Sequence, residues 1–153
     1  MSDYPMSVRE MDEKDIPAVL AIQNETHFEN WDEKALKRLL GKSFTFAFVA
    51  EAPTAAGEWK VAGFAVFSCA ADEAEILAIA TAQEFLRKGV ATEIFAEGES
   101  ALADAGARQF YLEVRAGNAN AIAFYRKLGF DQCGERKKYY SDGENAVLMS
   151  RPL

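Results

Sequence analysis

The sequence predicts an α/β (α+β) domain, a mixed central sheet of about six or seven strands with helices on both faces. Three observations carry this. Short runs rich in Phe, Val and Ile alternate with stretches at helical spacing. The second half runs strand, helix, strand, helix, which implies right-handed crossovers. Glycines stand where the helices must stop, at Gly41, Gly106 and Gly129. The 153 residues contain no internal repeat, low-complexity segment or linker. They read as one domain, large enough to bury about 68–70% of its unfolded surface.

The elements follow in order. "SVREM" is a short first strand, and residues 13–23 and 32–40 are helices, the second closed by Gly41. In "SFTFAFVA", Phe44, Phe46 and Phe48 alternate with smaller residues, the mark of a half-buried strand. After the loop "APTAAGE" come two strands, "WKVAGFAVFSCA" and "EAEILAIA". The second is nearly all apolar, as expected for a central strand covered on both faces. From Arg87 to Ala105 the pattern is helical, with Val90, Ile94, Ala101, Leu102 and Ala105 along one stripe. Gly98 within it costs about 1 kcal/mol relative to alanine, a cost explained by close packing on the sheet. "RQFYLEV" is the next strand and residues 118–128 the last helix, with Gly129 as its cap and Phe130 as the cap's apolar contact. "FDQCGERKKYY" and "NAVLMSRPL" are two final strands joined by a turn containing "SDGE".

Composition narrows the function. A formal net charge of −7 argues against nucleic-acid binding and favours a cationic or amine substrate. "MSDYPMSVREMDEKD" has neither a basic head nor an apolar run, so no secretory signal is read. The stretch "VAGFAVFSCAA" is too short to span a bilayer. The expectation is a cytoplasmic protein with no membrane partner, whose Cys69 and Cys133 are reduced, buried small hydrophobes. A metal site is not expected from one histidine, His27, and two distant cysteines.

Chemistry is suggested first by "TAQEFLRKGVAT", where Gly89 and Ala91 stand at a helix start just after Arg87 and Lys88. The first N–H groups of a helix lack internal partners and carry the positive end of its dipole. Small residues let an anion approach them, so the turn can cradle a pyrophosphate. A glycine there can equally be a plain turn, and the Arg-Lys pair plain solvated surface. The second suggestion is "YLEVRAGNANAIAFYRKLGF". Glu113 ends a strand, and Tyr125 lies seven residues after Asn118, two turns along the same helix face and about 10 Å away. Here too there are plain readings: a solvated strand end for Glu113, a packed aromatic for Tyr125, and a helix cap for Asn118, with Asn120 competing.

Taken together in this order, these features resemble the GNAT superfamily of N-acetyltransferases. Its acetyl-CoA turn is Gln or Arg, two residues, Gly, one residue, then Gly or Ala; here Leu86 departs from the first position, while Gly89 and Ala91 keep the others. Within the superfamily, "LEVRAGNANAIAFYRKLGF", "RKKYY", "DG" and "VLMSRPL" look like the bacterial enzymes that acetylate the N-terminal alanine of a small-subunit ribosomal protein. The likeness is in register over roughly residues 75–153 and architectural before that. It implies direct acetyl transfer from acetyl-CoA, with no metal and no covalent acetyl-enzyme, Glu113 as base and Tyr125 as acid. It further implies that Ile79, Ala80 and Thr81, together with Arg87, Lys88, Gly89, Val90, Ala91, Thr92 and Asn118, hold the acetyl-CoA. The acceptor, a protein or peptide N-terminus, would lie near the loop joining the first two helices and near the final hairpin, with Glu25, Glu29 and Asp32 attracting a basic peptide and Phe28, Trp31, Tyr139 and Tyr140 lining its path. Rival readings are a GNAT enzyme acting on lysine or a small amine, and a non-catalytic acetyl-CoA-binding protein.

Acid–base arithmetic favours the N-terminal acceptor. An α-amine of pKa about 7.8 is roughly 10–15% neutral at pH 7, whereas a lysine of about 10.4 is below roughly 0.1%. One carboxylate base suffices for the first, and a tyrosine of pKa about 10 still has its proton to give to a thiolate.

Overall fold

The computed structural model describes residues 4–26 and 31–153. Its strands are β1 (Ser7–Glu10), β2 (Thr45–Pro53), β3 (Trp59–Ala70), β4 (Glu73–Thr81), β5 (Gln109–Arg115), β6 (Asp131–Arg136) and β7 (Ala146–Pro152). Its helices are α1 (Ile16–Glu25), α2 (Glu33–Leu40), α3 (Val90–Asp104) and α4 (Ala119–Lys127). The strands form one seven-stranded sheet in the order β1-β2-β3-β4-β5-β7-β6. Every neighbouring pair is antiparallel except β4 and β5, the parallel pair that α3 connects. No helix among the described residues is long and apolar enough to cross a membrane.

Helix α3 is laid flat on the sheet by its glycine. A Cβ at Gly98 would lie 2.4 Å from the Phe67 ring, so only glycine allows that approach, as the sequence suggested. From there a row of aromatic rings crosses the core. Phe48, Phe67, Phe110 and Phe130 follow one another, Phe95 of α3 packs on the last two, and Tyr125 ends the row, with centroids 5.3–6.3 Å apart. Along β5 the buried Phe110, Leu112 and Val114 alternate with Tyr111 and Glu113, which therefore look to the other face.

The end of α4 is as predicted, and its hydrogen bonds show why. Gly129 takes φ 97°, its N–H donates to the Arg126 carbonyl, and the Phe130 N–H donates to the Tyr125 carbonyl at 3.0 Å. These are the two bonds of a Schellman cap, and the Phe130 ring packs on Tyr125 as that cap's apolar contact.

Several boundaries differ from expectation. Helix α3 begins at Val90, not Arg87, because Arg87 and Gly89 adopt left-handed φ values of 63° and 83° that no right-handed helix accommodates. Residues 13–15 form a single 3₁₀ turn before α1, organised by reciprocal bonds between Asp12 and Asp15. Strand β2 continues to Pro53 because Glu51, Ala52 and Pro53 pair with Val61, Lys60 and Trp59. Strand β6 stops at Arg136, since Lys138 turns to φ 53°. Strand β4 is central, yet its first half is not covered on both faces: Glu73 and Glu75 are exposed between buried Ala74 and Ile76.

The first strand is tied in by charge. Arg9 donates through Nη1 and Nη2 to both oxygens of Asp15 (2.8 and 2.7 Å) and through Nε to Glu51 at 2.7 Å. Asp15 is only 6% exposed, and burial pushes its carboxyl up. The Arg9 bonds and the Asp12 N–H outweigh that, so the group lies below the ordinary aspartate range. A folded-state pKa below the unfolded one gives stability that is present above about pH 4 and lost as pH falls through the folded value. Asp15→Asn is therefore expected to cost about 3 kcal/mol in urea unfolding at pH 7, and the gap should close towards pH 3; a pH-independent gap refutes the assignment. Gly98→Ala should lower stability by about 1–2 kcal/mol although alanine favours helix by about 1 kcal/mol. Added Phe67→Leu should restore part of the loss, and a Gly98→Ala protein at least as stable as the parent would show that Phe67 yields freely.

Candidate active site

The site is created where β4 and β5 part. Their ladder consists of Glu73↔Gln109 to Ile76↔Leu112 and goes no further, although β4 continues to Thr81 and β5 to Arg115. A bulge marks the place. In the pairing of β3 with β4, Val66 faces Ala78 and Phe67 faces Ile76, so Leu77 is an extra residue that turns β4 away. Beyond it β4 stays with β3, while β5 stays with β7. Ala78, Ile79, Ala80 and Thr81 thus have no ladder partner on the β5 side.

Glu113 is the first residue of β5 past the last rung. It enters a cavity of about 360 Å³ lined also by Glu75, Tyr111, Cys133, Arg136 and Leu148. Its Oε1 lies 3.4 Å from Arg136 Nε. The Tyr139 phenol is held above its ordinary pKa, first by hydrogen bonding to the Glu113 carboxylate and then by that carboxylate's charge. Burial raises Tyr140, and the charge of Glu113 adds to this against Arg115. Glu75 is raised by burial and by Glu113, with Arg136 opposing. One carboxylate therefore acts on four side chains of three different segments. Glu75 and Arg136 were not foreseen. Glu75 shares a rung with Tyr111, and Arg136 comes across β7, so only strand register reveals them.

Tyr125 belongs to the other face. It is 8% exposed, its ring is packed between Phe124 and Phe130, and burial alone drives its phenol well above the ordinary tyrosine value. Asn118 has the cap role left open by the sequence: its Oδ1 accepts from the Ala121 N–H at 3.1 Å, while Asn120 lies within the helix.

The glycine turn stands beside the parted end of β4. Left-handed residues at 87 and 89 flank Lys88, a backbone shape that gathers successive N–H groups into an anion-binding concavity, and no side chain caps α3. A Cβ at Gly63, which faces Thr81, would lie 2.8 Å from Val90 Cγ1 and 2.9 Å from the Ala80 carbonyl oxygen. Gly63 thus lets the helix start sit directly on the strands, another residue the sequence did not single out. The Lys88 ammonium lies 4.5 Å over the Tyr4 ring, and Leu86, at the position where the motif departs, is 52% exposed.

Of the acceptor-side residues, Tyr139 is exposed and Tyr140 half-buried, their rings edge to face at 5.1 Å. Glu25 accepts a hydrogen bond from the Gln83 N–H, tying the end of α1 to the turn before α3. Trp31 is bonded through both backbone groups to the buried Gln23 amide. Asp32 caps α2 through the Ala35 N–H. Phe28, Glu29 and His27 lie outside the described residues. Cys69 is half-buried, and Cys133, expected inside, is exposed: it is the extra residue of a bulge between Gln132↔Met149 and Gly134↔Leu148, which turns it to the cavity. Among the described residues no group of His, Cys, Asp and Glu could hold a metal ion.

Known proteins resemble this chain in sequence and fold. Escherichia coli K12 ribosomal protein bS18-alanine N-acetyltransferase is 30% identical over 150 residues, 96% of this chain and 97% of that protein. The crystal structure of the Escherichia coli ribosomal-protein-S18-alanine N-acetyltransferase aligns with a TM-score of 0.83 and 31% identity, covering 97% of this chain and 94% of that one. An N-alpha-acetyltransferase of Saccharolobus solfataricus is 40% identical over 97 residues; the match takes in 63% of this chain and just over half, 58%, of that protein's length. Residues 16–130 match the acetyltransferase (GNAT) family, and the chain belongs to that family of N-acetyltransferases.

Proposed function

We propose that the protein acetylates the α-amine of a polypeptide N-terminus, alanine foremost, with a ribosomal protein as the natural acceptor. Acetyl-CoA, the family's donor, supplies an activated acyl thioester. The observation that carries the reading is the opening between β4 and β5, with Glu113 at its mouth on one face and Tyr125 on the other. The residues present suit the donor. The edge of Ile79, Ala80 and Thr81 has no ladder partner and offers N–H and C=O groups to an amide-bearing arm. The uncapped turn of Arg87, Lys88, Gly89, Val90, Ala91 and Thr92 offers N–H groups and positive charge to a pyrophosphate. The Asn118 amide stands at the start of α4 between them and Tyr125 in the chain.

In this reading Glu113 takes the proton of the acceptor ammonium, directly or through water. The amine nitrogen then forms a bond to the acyl carbon, the carbon–sulfur bond breaks, and Tyr125 gives its proton to the departing sulfur. Burial keeps that proton on the phenol at neutral pH. Arg136 and Tyr139 orient the Glu113 carboxylate, and the exposed side of Tyr139 and Tyr140 lines the acceptor's approach, with Glu25 and Trp31 as further acceptor residues. The relatives named for N-terminal α-amines support this choice over lysine, as does the small fraction of neutral lysine at pH 7.

The test is thiol release from acetyl-CoA with two peptides, one with a free N-terminal alanine and no lysine, one with a blocked N-terminus and an internal lysine. Turnover of the first alone is expected. Tyr125→Phe and Glu113→Gln should each lower kcat by about 10²-fold or more without loss of fold. Turnover of the second alone would overturn the α-amine assignment, and full activity in Tyr125→Phe would overturn the acid. Gly89→Val should raise the KM for acetyl-CoA about tenfold, because valine resists φ 83°, and leave the peptide KM near its original value. An unchanged acetyl-CoA KM would remove the turn from the donor site.

A further inference from the structure

The loop between β6 and β7, residues 137–145, carries Tyr139 and Tyr140, and it is fastened to β5 by more than the hairpin itself. Arg115 ends β5, two residues beyond Glu113 and on the same face. Its Nη1 donates to Asp142 Oδ2 and to Glu144 Oε1, both at 2.9 Å, and its guanidinium carbon lies 4.0 Å from the Tyr140 ring centroid. The other oxygen of Glu144 accepts from the Gly117 N–H at 2.8 Å, and a Cβ at Gly117 would stand 2.6 Å from it. Glu144 therefore spans the end of β5 and the turn that leads into α4.

The loop is also bonded within itself, so the fastening acts on a preformed unit. Tyr140 N–H donates to the Glu144 carbonyl at 3.2 Å, Gly143 N–H to the Tyr140 carbonyl at 2.8 Å, and Glu144 N–H to Asp142 Oδ1 at 3.0 Å. At the far side of this unit the Arg136 guanidinium lies over the Tyr139 ring at 5.7 Å, while its Nε is 3.4 Å from Glu113 Oε1, so one arginine joins the loop to Glu113. Single exposed ion pairs hold little, but here one guanidinium serves two carboxylates and a ring, and one of those carboxylates also takes a backbone N–H. None of these groups is needed to pair the strands, since Gly134↔Leu148 and Arg136↔Ala146 already fix the hairpin's register, and Glu113↔Leu148 and Arg115↔Ala146 fix β7 on β5. What the fastening adds is the position of the two tyrosines relative to Glu113.

We propose that Arg115 and Glu144 are positioning residues: they clamp the β6–β7 loop onto the end of β5 and so preorganise Tyr139 and Tyr140 over Glu113 to receive the acceptor. The proposal rests on the reading of Glu113 as the acceptor end of the site. Preorganisation lowers the ordering cost of acceptor binding and leaves the donor's contacts alone. Arg115→Lys keeps the charge and loses the planar guanidinium that stacks on Tyr140.

The test uses Arg115→Ala, Arg115→Lys and Glu144→Gln, with whichever acceptor the parent enzyme turns over: the alanine peptide, the lysine peptide or a small amine. Arg115→Ala should raise the acceptor KM about tenfold, with acetyl-CoA KM and kcat changed by less than about twofold. Arg115→Lys should recover only part of the loss, and Glu144→Gln should fall between. A second readout needs no turnover: Lys137 and Lys138 are exposed in the loop, and trypsin should cut there several-fold faster in Arg115→Ala at an unchanged urea midpoint. Unchanged cleavage, an unchanged acceptor KM, or equal losses for both substrates would each overturn the clamp. Faster cleavage in a protein whose parent turns over no acceptor would uphold the clamp as a loop anchor and overturn the proposed activity instead.

Discussion

Everything at the site depends on two neighbouring parallel strands that stop pairing after four rungs. A continuous β4–β5 ladder would gain backbone hydrogen bonds worth about 0.5–1.5 kcal/mol each, so the separation has to be held open by something else. The bulge at Leu77 starts it, and the outer partners maintain it, β3 gripping β4 and β7 gripping β5. Helix α3 then seats itself on the open side of β4: its first turn rests on Gly63 and the end of that strand, where any Cβ would collide. The capped end of α4 sets Phe130 against Phe110, on the paired part of β5, with Tyr125 packed on Phe130. The glycine thus serves the parted end of the sheet and the aromatic cap the part that stays joined.

The same parting explains why the two faces differ chemically. On the aromatic face, five rings lead to Tyr125, and the only influence on its phenol is burial, which opposes ionisation. On the cavity face, Glu75, Glu113, Arg136 and the two tyrosines act on one another through charge. An acid that holds its proton until it is needed and a base that accepts one, the roles proposed for Tyr125 and Glu113, call for opposite surroundings. One strand supplies both by alternation: Phe110 and Leu112 point into the dry side, Tyr111 and Glu113 into the wet one.

How much of this could be read in the sequence depended on whether the signal was local. Gly98 announced close packing, and Gly129 with Phe130 announced the cap, because each is a short-range pattern with a short-range cause. The start of α3 was misjudged by three residues because Arg87 takes a left-handed conformation that its side chain does not advertise. Glu73 and Glu75 interrupt an otherwise apolar strand, a hint of one open face that overall hydrophobicity hid. Arg136 and Glu75 at the site, and the outward turn of Cys133, follow from register and bulges, which single residues do not encode. The Arg87 to Thr92 turn and Glu113 were legible as a pattern, but the early end of the β4–β5 ladder beside them was not.

An opening with different chemistry on its two sides also bears on the order of events. If donor and acceptor came in by the same side, the first to bind would block the second, and a covalent acyl-enzyme would be the economical solution. Here the uncapped α3 turn lies by the end of β4, while the tyrosine-bearing loop lies over Glu113 on β5 and is fastened to that strand's end. In the proposed reaction both substrates are then present together, the amine meeting the acyl carbon within the gap. With Glu113 proposed as base and Tyr125 as acid, no enzyme nucleophile is needed between them, since the proton would leave on one face and return on the other. Direct attack is thus the proposed mechanism that an opened sheet makes simplest.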